Sequence, residues 1–231
     1  MGGDKICIAG YLTDCTCVRP VTNNGLRDNF LRENGEIIIQ PFAIVELDLD
    51  SNRTSNKPHT EDREICSLHR ANRGSLTLSQ RELFLSRIDN KNVESIFGAA
   101  ISFGPGYYIN DGEGDHSLGT IGNPKIIKIC SDLYSNGYKI NFIDNCGKSY
   151  ELKVTDLSFW KYLDTIIYRD GMHKSDALEM LNKSLQQAKV YLRIGLARGD
   201  WGMYPGRCYL QITGVYSFPD YLNGLTLADF G

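Results

Sequence analysis

The segment His59-Thr60-Glu61-Asp62 places a histidine and two carboxylates within four residues. Such a group could bind a divalent metal ion and activate a water molecule, which is the chemistry of a metal-dependent nuclease. A nuclease usually needs further carboxylates from other elements, and the sequence does not identify them. His59 could instead orient its loop through hydrogen bonds. We therefore favour a protein without catalytic activity and keep His59, Glu61 and Asp62 as the candidates of an enzymatic alternative.

Two pairs of residues have the chemistry of zinc ligands, Cys15-x-Cys17 and Cys66-x-x-His69. Their spacing fits a zinc ribbon poorly, and the second pair falls in a segment that we expect to be a loop. The chain has seven cysteines, an odd number, which is typical of reduced thiols in a cytosolic protein. We predict neither a metal nor a cofactor.

A glycine-rich stretch includes Gly104-Pro105-Gly106 and Gly112-Glu113-Gly114. Neither motif continues into the Gly-Lys-Ser/Thr of a P-loop or has the G-x-G-x-x-G spacing of a dinucleotide site. Asp111, Glu113 and Asp115 would also repel a phosphate group. The stretch is therefore interpreted as a flexible connector.

Basic and aromatic side chains alternate towards the C-terminus, a composition that suits single-stranded nucleic acid, because cations neutralise phosphates while bases stack on rings. The candidate contacts are Arg193, Arg198, Trp201, Tyr204, Arg207 and Tyr209. Arg193 alternates with Leu192 and Ile194 along a predicted strand, so its side chain should point away from the core that they form.

Arg19, which precedes Pro20 at the end of a predicted strand, is the remaining candidate contact. It could bind a phosphate group of the same ligand. The alternative is a buried ion pair with Asp14, Glu46 or Asp48.

Many short strands and a few helices must position these residues, with turns between them. Thr77-x-x-Gln80 resembles a capping box that begins a helix ending near Ile88. One convincing helix is predicted over residues 176–189, followed by two strands, the second with a bulge at Gly214. A hairpin turn is predicted at Asp144-Asn145-Cys146-Gly147, and Pro41 interrupts the strand pattern of residues 36–50. The density of glycine between residues 98 and 122 argues against regular structure there. The pattern predicts a mainly β protein with two five-stranded small barrels or a sandwich.

Charge is distributed unevenly along the 231 residues, whose formal net charge is −3. Residues 120–210 carry 13 Lys and Arg against nine Asp and Glu, so nucleic acid would bind in this half. The longest apolar runs are a handful of residues, and the N-terminus has no apolar signal region. These features predict a cytoplasmic protein that does not contact the membrane.

Several phrases occur in a fixed order: KICIAG, CVRPV, KPHTEDREI, LRIGLAR and CYLQITGVYSFPDY. In this order they resemble the dual OB-containing domain family of prokaryotes, over roughly Lys5 to Tyr221. The sequence departs from the family where Cys17 replaces an aromatic or aliphatic residue, and its glycine-rich stretch looks longer. The resemblance implies two OB-like barrels: a first lobe (1–100), a connector (101–124) and a second lobe (125–231) that carries the 176–189 helix. Some members are associated with mobile elements or with defence against phage.

We therefore expect a non-catalytic recognition module that binds single-stranded DNA or RNA, or a nucleotide-derived ligand, in an anti-phage defence system. One alternative is a protein-interaction subunit of a larger defence complex, which would use the acidic first half as its contact surface. The other is the nuclease of His59, Glu61 and Asp62. The OB fold alone does not choose among these functions.

Overall fold

The structure is a computed structural model, and it describes residues 5–51, 56–132, 137–200 and 204–230. Strands make up most of its regular structure, so the prediction of a mainly β protein is confirmed. Strand pairing in these ranges gives four sheets, three small ones from the first part of the chain and one large one from the rest, and we describe them as two groups of strands that follow one another along the chain. Within the described residues, no helix combines the length and the apolar character that crossing a membrane requires.

The first group contains eight strands: β1 (Lys5–Ile6), β2 (Gly10–Tyr11), β3 (Cys17–Val21), β4 (Leu26–Arg27), β5 (Arg32–Glu33), β6 (Glu36–Ile37), β7 (Ala43–Leu49) and β8 (Asp62–Ser75). Four of them form a sheet in the order β2-β3-β8-β7, in which β3 and β8 run parallel. The strands β1 and β4 form one separate pair, and β5 and β6 form another. A short 3-10 helix (Asp28–Leu31) connects β4 to β5.

A small apolar core supports the first group. Val45 and Leu47 alternate with exposed polar residues along β7, and this period of two directs them towards that core. The buried members are Leu26, Phe30, Leu31, Ile38, Ile39 and Leu227. As the sequence predicts, the strand pattern is interrupted near Pro41, between β6 and β7.

The second group begins with α1 (Leu78–Arg87), β9 (Asp89–Asn90), α2 (Glu94–Phe97), β10 (Ser102–Phe103), β11 (Tyr107–Asn110) and β12 (Leu118–Gly122). It continues with β13 (Lys125–Ser131), β14 (Tyr138–Ile143), β15 (Ser149–Val154), α3 (Leu157–Asp164), α4 (Lys174–Gln187), β16 (Lys189–Leu196) and β17 (Arg207–Phe218). A π-helical turn (Thr165–Arg169) extends α3.

One nine-stranded sheet organises this second group. Its main path is β13-β14-β15-β17-β16-β12-β9, and β11 joins β17 while β10 pairs with β11. The predicted hairpin turn at Asp144–Gly147 connects β14 to β15, and the predicted irregularity at Gly214 is a register shift opposite Arg193. In the described residues the path ends at β13 and β9, so the sheet does not close into a barrel.

Helices cover the inner face of this sheet. The capping box at Thr77 and Gln80 begins α1, and the predicted 176–189 helix is α4, displaced by two residues at each end. The sequence analysis missed α3, which begins where the Asp156 carboxylate accepts hydrogen bonds from the N–H groups of Ser158 and Phe159. The buried side chains of α3 and α4 join the sheet in one large core.

The prediction that residues 98–122 hold no regular structure is wrong. They contain β10, β11 and β12, and β12 lies beside β16 within the large sheet. Glycine is needed there for close packing, because a Cβ atom at Gly119 would lie 2.6 Å from a methyl carbon of Ile96. The glycine-rich stretch is therefore part of the second group, and the division into two domains stays a prediction.

The two groups pack directly against each other. The ring of Phe42 lies 4.9 Å from that of Tyr216 on β17. At the C-terminal end, a 3-10 helix (Leu227–Phe230) places Leu227 in the first core and Phe230 in the second. Contacts of Phe42 and of the C-terminal 3-10 helix therefore join the two groups.

Candidate functional site

Asp62, the first residue of β8, lies at the centre of an ion triad that joins the two groups of strands. Its Oδ1 accepts a 2.6 Å hydrogen bond from Nε of Arg19, and its Oδ2 accepts one of 2.8 Å from Nη2 of Arg198. Arg19 and Asp62 are buried and lie opposite each other in the parallel pairing of β3 with β8. Arg19 is thus in a buried ion pair, as one hypothesis held, but the expected partners Asp14, Glu46 and Asp48 were wrong.

Glu61 makes a second connection between the groups, on the other side of the chain from Asp62. Its buried carboxylate accepts hydrogen bonds from the N–H groups of Ser117 (2.7 Å) and Leu118 (3.2 Å), and from the Ser117 hydroxyl (2.8 Å). Leu118 is the first residue of β12, in the large sheet, and Ser117 directly precedes it. Consecutive residues of an extended chain point in opposite directions, which explains why Glu61 and Asp62 reach different partners.

His59 is buried at the edge of the same cluster. Burial, reinforced by the guanidinium groups of Arg19 and Arg198, lowers the pKa of His59 to about 3. Its imidazole is therefore neutral at pH 7 and contributes no positive charge to the cleft beside it.

This arrangement does not offer the metal site of the nuclease hypothesis. A cation at Asp62 would have to displace two guanidinium groups, and the Glu61 carboxylate is already held by three donors. In the described part of the chain, no three His, Cys, Asp or Glu side chains group together as metal ligands, and this includes Cys15, Cys17, Cys66 and His69. The His59–Asp62 segment instead fixes the position of one group of strands against the other.

Arg193 is buried, contrary to the expectation that it contacts a ligand on the surface. Its side chain does point away from the core of Leu192 and Ile194, but the first group of strands covers it. The guanidinium lies 4.9 Å from the ring centre of Tyr11, and its Nη2 is 3.3 Å from Sγ of Cys17. The alternation rule gives the face of a strand correctly, but it cannot show what packs on that face.

Three of the remaining predicted contacts, Tyr204, Arg207 and Tyr209, lie near one another, where β11 pairs with β17. The Arg207 guanidinium carbon lies 4.4 Å from the ring centre of Tyr108 and 4.7 Å from that of Tyr204. Tyr209 stands opposite Tyr108 in the strand pairing, with 5.7 Å between the ring centres. We call Tyr108, Tyr204, Arg207 and Tyr209 the aromatic platform. Trp201 lies outside the described residues.

A glycine turn borders the aromatic platform. Cβ atoms added at Gly104 and Gly106 would lie 3.1 Å from Nη1 of Arg207 and 3.4 Å from the ring of Tyr209. The approach is tight at Gly104, where a side chain would press on the Arg207 guanidinium, whereas at Gly106 a Cβ atom would make an ordinary contact with the ring. The tip of the turn is exposed, as is Tyr204.

The sequence analysis missed Tyr108, although it lies in the apolar-aromatic run that directly follows Gly104-Pro105-Gly106. That run, Tyr107 to Ile109, is short and β-prone, and treating the whole glycine-rich stretch as a connector concealed it.

Arg198 differs in position from the other candidate contacts. One edge of its guanidinium binds Asp62, while the side chain, 36% exposed, lines a cleft between the two groups of strands.

Comparison with known proteins bears on the family. A family model described as a dual OB-containing domain matches residues 2–215, which is nearly the whole chain. A search of curated proteins and a search of solved structures each found no match.

Proposed function

Because the chain belongs to the dual OB-containing domain family, we propose that it is a non-catalytic module that binds single-stranded nucleic acid, with the aromatic platform as its contact surface. OB folds commonly bind oligonucleotides through a sheet face and the loops beside it. The platform has this setting, because three of its residues lie on β11 and β17 and Tyr204 lies in the preceding loop.

The observation that carries the proposal is the position of Arg207 between two tyrosine rings. Stacking on both rings orients the planar guanidinium, while its edge still carries N–H groups that can bind a phosphate oxygen. The exposed ring of Tyr204 offers a flat apolar face to a base. One small surface therefore provides both interactions that a single strand needs.

A single strand suits this surface better than a duplex. In a duplex the faces of the bases are stacked on one another, so tyrosine rings cannot reach them without unstacking the helix. An unpaired strand exposes these faces at little cost. Since stacking tolerates any base, the platform itself should distinguish sequences only weakly.

The ion triad at Asp62 and the contacts of Glu61 have a supporting role in this proposal. They fix the position of the two groups on either side of the cleft. The cleft lies next to the platform, because the N–H of Asp111, which lines the cleft, donates to the carbonyl of Gly206, the residue before Arg207. His59, Glu61 and Asp62 thus hold the binding surface in shape and perform no reaction.

Fluorescence anisotropy with labelled single strands of about 12 nucleotides, DNA and RNA, tests the proposal against the matching duplexes. We expect single strands to bind more tightly than duplexes, and Tyr204→Ala to weaken binding about tenfold by loss of stacking. Tyr168→Ala is the matched control, since Tyr168 is exposed on the helical side of the second group.

Equal loss in the Tyr204 and Tyr168 variants would refute the platform as the contact surface. Absence of binding to any strand at low salt would refute the whole proposal and favour a protein-interaction subunit, such as one of an anti-phage complex in the cytoplasm. Incubation of the same strands with Mg²⁺ or Mn²⁺ completes the test, because their cleavage would contradict a non-catalytic role.

A further inference from the structure

A cleft of about 520 Å³ lies between the two groups of strands, beside the aromatic platform. The loop before β8 contributes Lys57 and His59, and the second group contributes Asp111, Arg198 and Asp200. A hydrogen bond of 3.0 Å from the Gly112 N–H to the Lys57 carbonyl connects its two sides. The volume lies in the range of pockets that enclose a small organic ligand, about 300–1,000 Å³.

The charges in this cleft do not favour a phosphate group. Two cations, Lys57 and Arg198, are balanced by the carboxylates of Asp111 and Asp200, and His59 is neutral. Each cation also has an acidic partner already, at 2.7 Å (Lys57 to Asp115) and 2.8 Å (Arg198 to Asp62). A phosphate would therefore meet two carboxylates and two cations whose charge an acidic partner already neutralises. The remaining N–H groups of these two cations can still donate to a neutral acceptor.

The two carboxylates instead suit a ligand that donates hydrogen bonds. Asp111 and Asp200 are exposed in the cleft, and the Asp111 carboxylate faces a weak donor, the thiol Sγ of Cys208 at 3.8 Å. A carboxylate has two oxygens that accept in parallel, so it binds best to two neighbouring N–H groups. Lys57 and Arg198, beside them, can donate to an acceptor on the same ligand.

One wall of the cleft is bare backbone. Gly112 lines the cleft, and a Cβ atom added there would meet no atom within 4 Å, so the backbone beside Asp111 is uncovered. A Cβ atom at Gly199 would lie 3.0 Å from the Cβ of Asp111, so a larger residue there would disturb the position of this carboxylate. A planar ring can therefore lie against the peptide groups with its edge towards Asp111.

We propose that this cleft binds a guanine base, either in a free guanine nucleotide or in a strand held on the aromatic platform. Guanine has two adjacent donors, N1–H and the N2 amino group, that match a carboxylate, and its O6 and N7 accept hydrogen bonds from Lys57 or Arg198. Uracil and thymine have one ring donor, and adenine and cytosine have an amino group beside an acceptor. The strand-bound form rests on the proposed function, whereas the free nucleotide does not.

Calorimetric titration with GMP, AMP, CMP and UMP tests the free base, and anisotropy with oligo-dT, with and without one guanine, tests the strand. We expect GMP to bind about tenfold more tightly than the other nucleotides, and one guanine to tighten strand binding by a similar factor. Asp111→Asn or Asp200→Asn should remove this preference and leave the affinity for plain oligo-dT unchanged.

Glu113→Gln is the matched control, because Glu113 is an exposed acid of the same loop whose carboxylate contacts Asn110 and does not line the cleft. Its guanine preference should equal that of the unmodified protein. Thermal melting of each variant shows that it is folded, and Asp200→Asn serves if the Asp111 variant is not.

The outcomes separate this inference from the proposed function. Binding of oligo-dT without any preference for guanine, free or in a strand, would overturn the guanine cleft and leave the platform intact. Selective GMP binding without strand binding would support the cleft and refute the platform. Equal affinity for all four nucleotides, or a guanine preference that survives both aspartate substitutions, would also overturn the inference.

Discussion

Replacement of Asp62 by asparagine should destabilise the protein strongly, because the change leaves Arg19 as a buried charge without its counter-ion. Both side chains are more than 90% buried, and their atoms lie 2.6 Å apart. Removing one partner of a buried ion pair costs about 3–5 kcal/mol of unfolding free energy. Asparagine keeps the shape of Asp62, so the loss reports the charge and not the packing.

Replacement of Arg198, the third member of the triad, should lower the free energy of unfolding much less than replacement of Asp62. Arg198 is 36% exposed, so water screens its bond with Asp62, and Arg198→Met should cost no more than about 1 kcal/mol. Replacing Arg19 by methionine together with Asp62 by leucine should recover most of the stability that Asp62→Asn loses, because neither buried charge remains. Urea unfolding followed by circular dichroism measures all three variants.

Asp115→Asn is the control for this series, since Asp115 forms an exposed ion pair with Lys57. Its unfolding midpoint should match that of the unmodified protein. An Asp62→Asn variant within about 1 kcal/mol of the unmodified protein would refute the buried-charge argument. So would an Arg198→Met variant as unstable as Asp62→Asn.

Three further predictions concern buried polar groups. Burial raises the pKa of Asp156 to about 6. The contribution of this group to the free energy of unfolding is therefore complete below its ordinary pKa of 3.8 and is lost as pH rises through 6, a change of about 3 kcal/mol. Urea unfolding at pH 4 and 7 should show this loss of stability, and Asp156→Asn should remove the difference between the two pH values. Glu61→Gln should cost about 1–3 kcal/mol because the Ser117 and Leu118 donors lose a charged acceptor, and hydrogen exchange at these two amides should accelerate. His59, with its pKa lowered to about 3, should show no change in imidazole NMR shifts between pH 5 and 8, and a titration in that range would contradict its burial beside two arginines.

Local patterns in the sequence predicted the elements whose contacts are local. The β14–β15 hairpin forms between strands joined by a short turn, and the capping box at Thr77 and Gln80 satisfies the start of α1 within four residues. The helix α4 was found because Leu181 and Leu185 recur at helical spacing and are both buried. Such elements depend little on the rest of the chain.

Features that depend on distant residues were not predictable in the same way. The partner of Arg19 is 43 residues away, and the choice of Asp62 over nearer acids follows from the parallel pairing of β3 with β8. Arg193 is buried by Tyr11 and Cys17, whose position depends on how the two groups of strands pack. A strand pattern contains no information about either arrangement.

The candidate site shows both cases. Tyr204, Arg207 and Tyr209 are close in sequence, so the alternation of basic and aromatic residues was enough to identify them as candidate contacts. Tyr108 joins them through the pairing of β11 with β17, about a hundred residues later in the chain. The glycine-rich composition around it suggested a connector, whereas glycine there permits close packing.

The salt dependence of single-strand binding tests the aromatic platform most directly, because phosphate contacts and stacking affect it differently. Affinity would be measured by anisotropy across a series of salt concentrations for the unmodified protein and two variants. Arg207→Ala should reduce the slope of log affinity against log salt by about 0.7, the value for one phosphate contact on a single strand. Tyr204→Ala should weaken binding at every salt concentration and leave the slope unchanged, since stacking releases no counter-ions. A slope unchanged by Arg207→Ala would contradict the account, as would a Tyr204→Ala variant that binds as tightly as the unmodified protein.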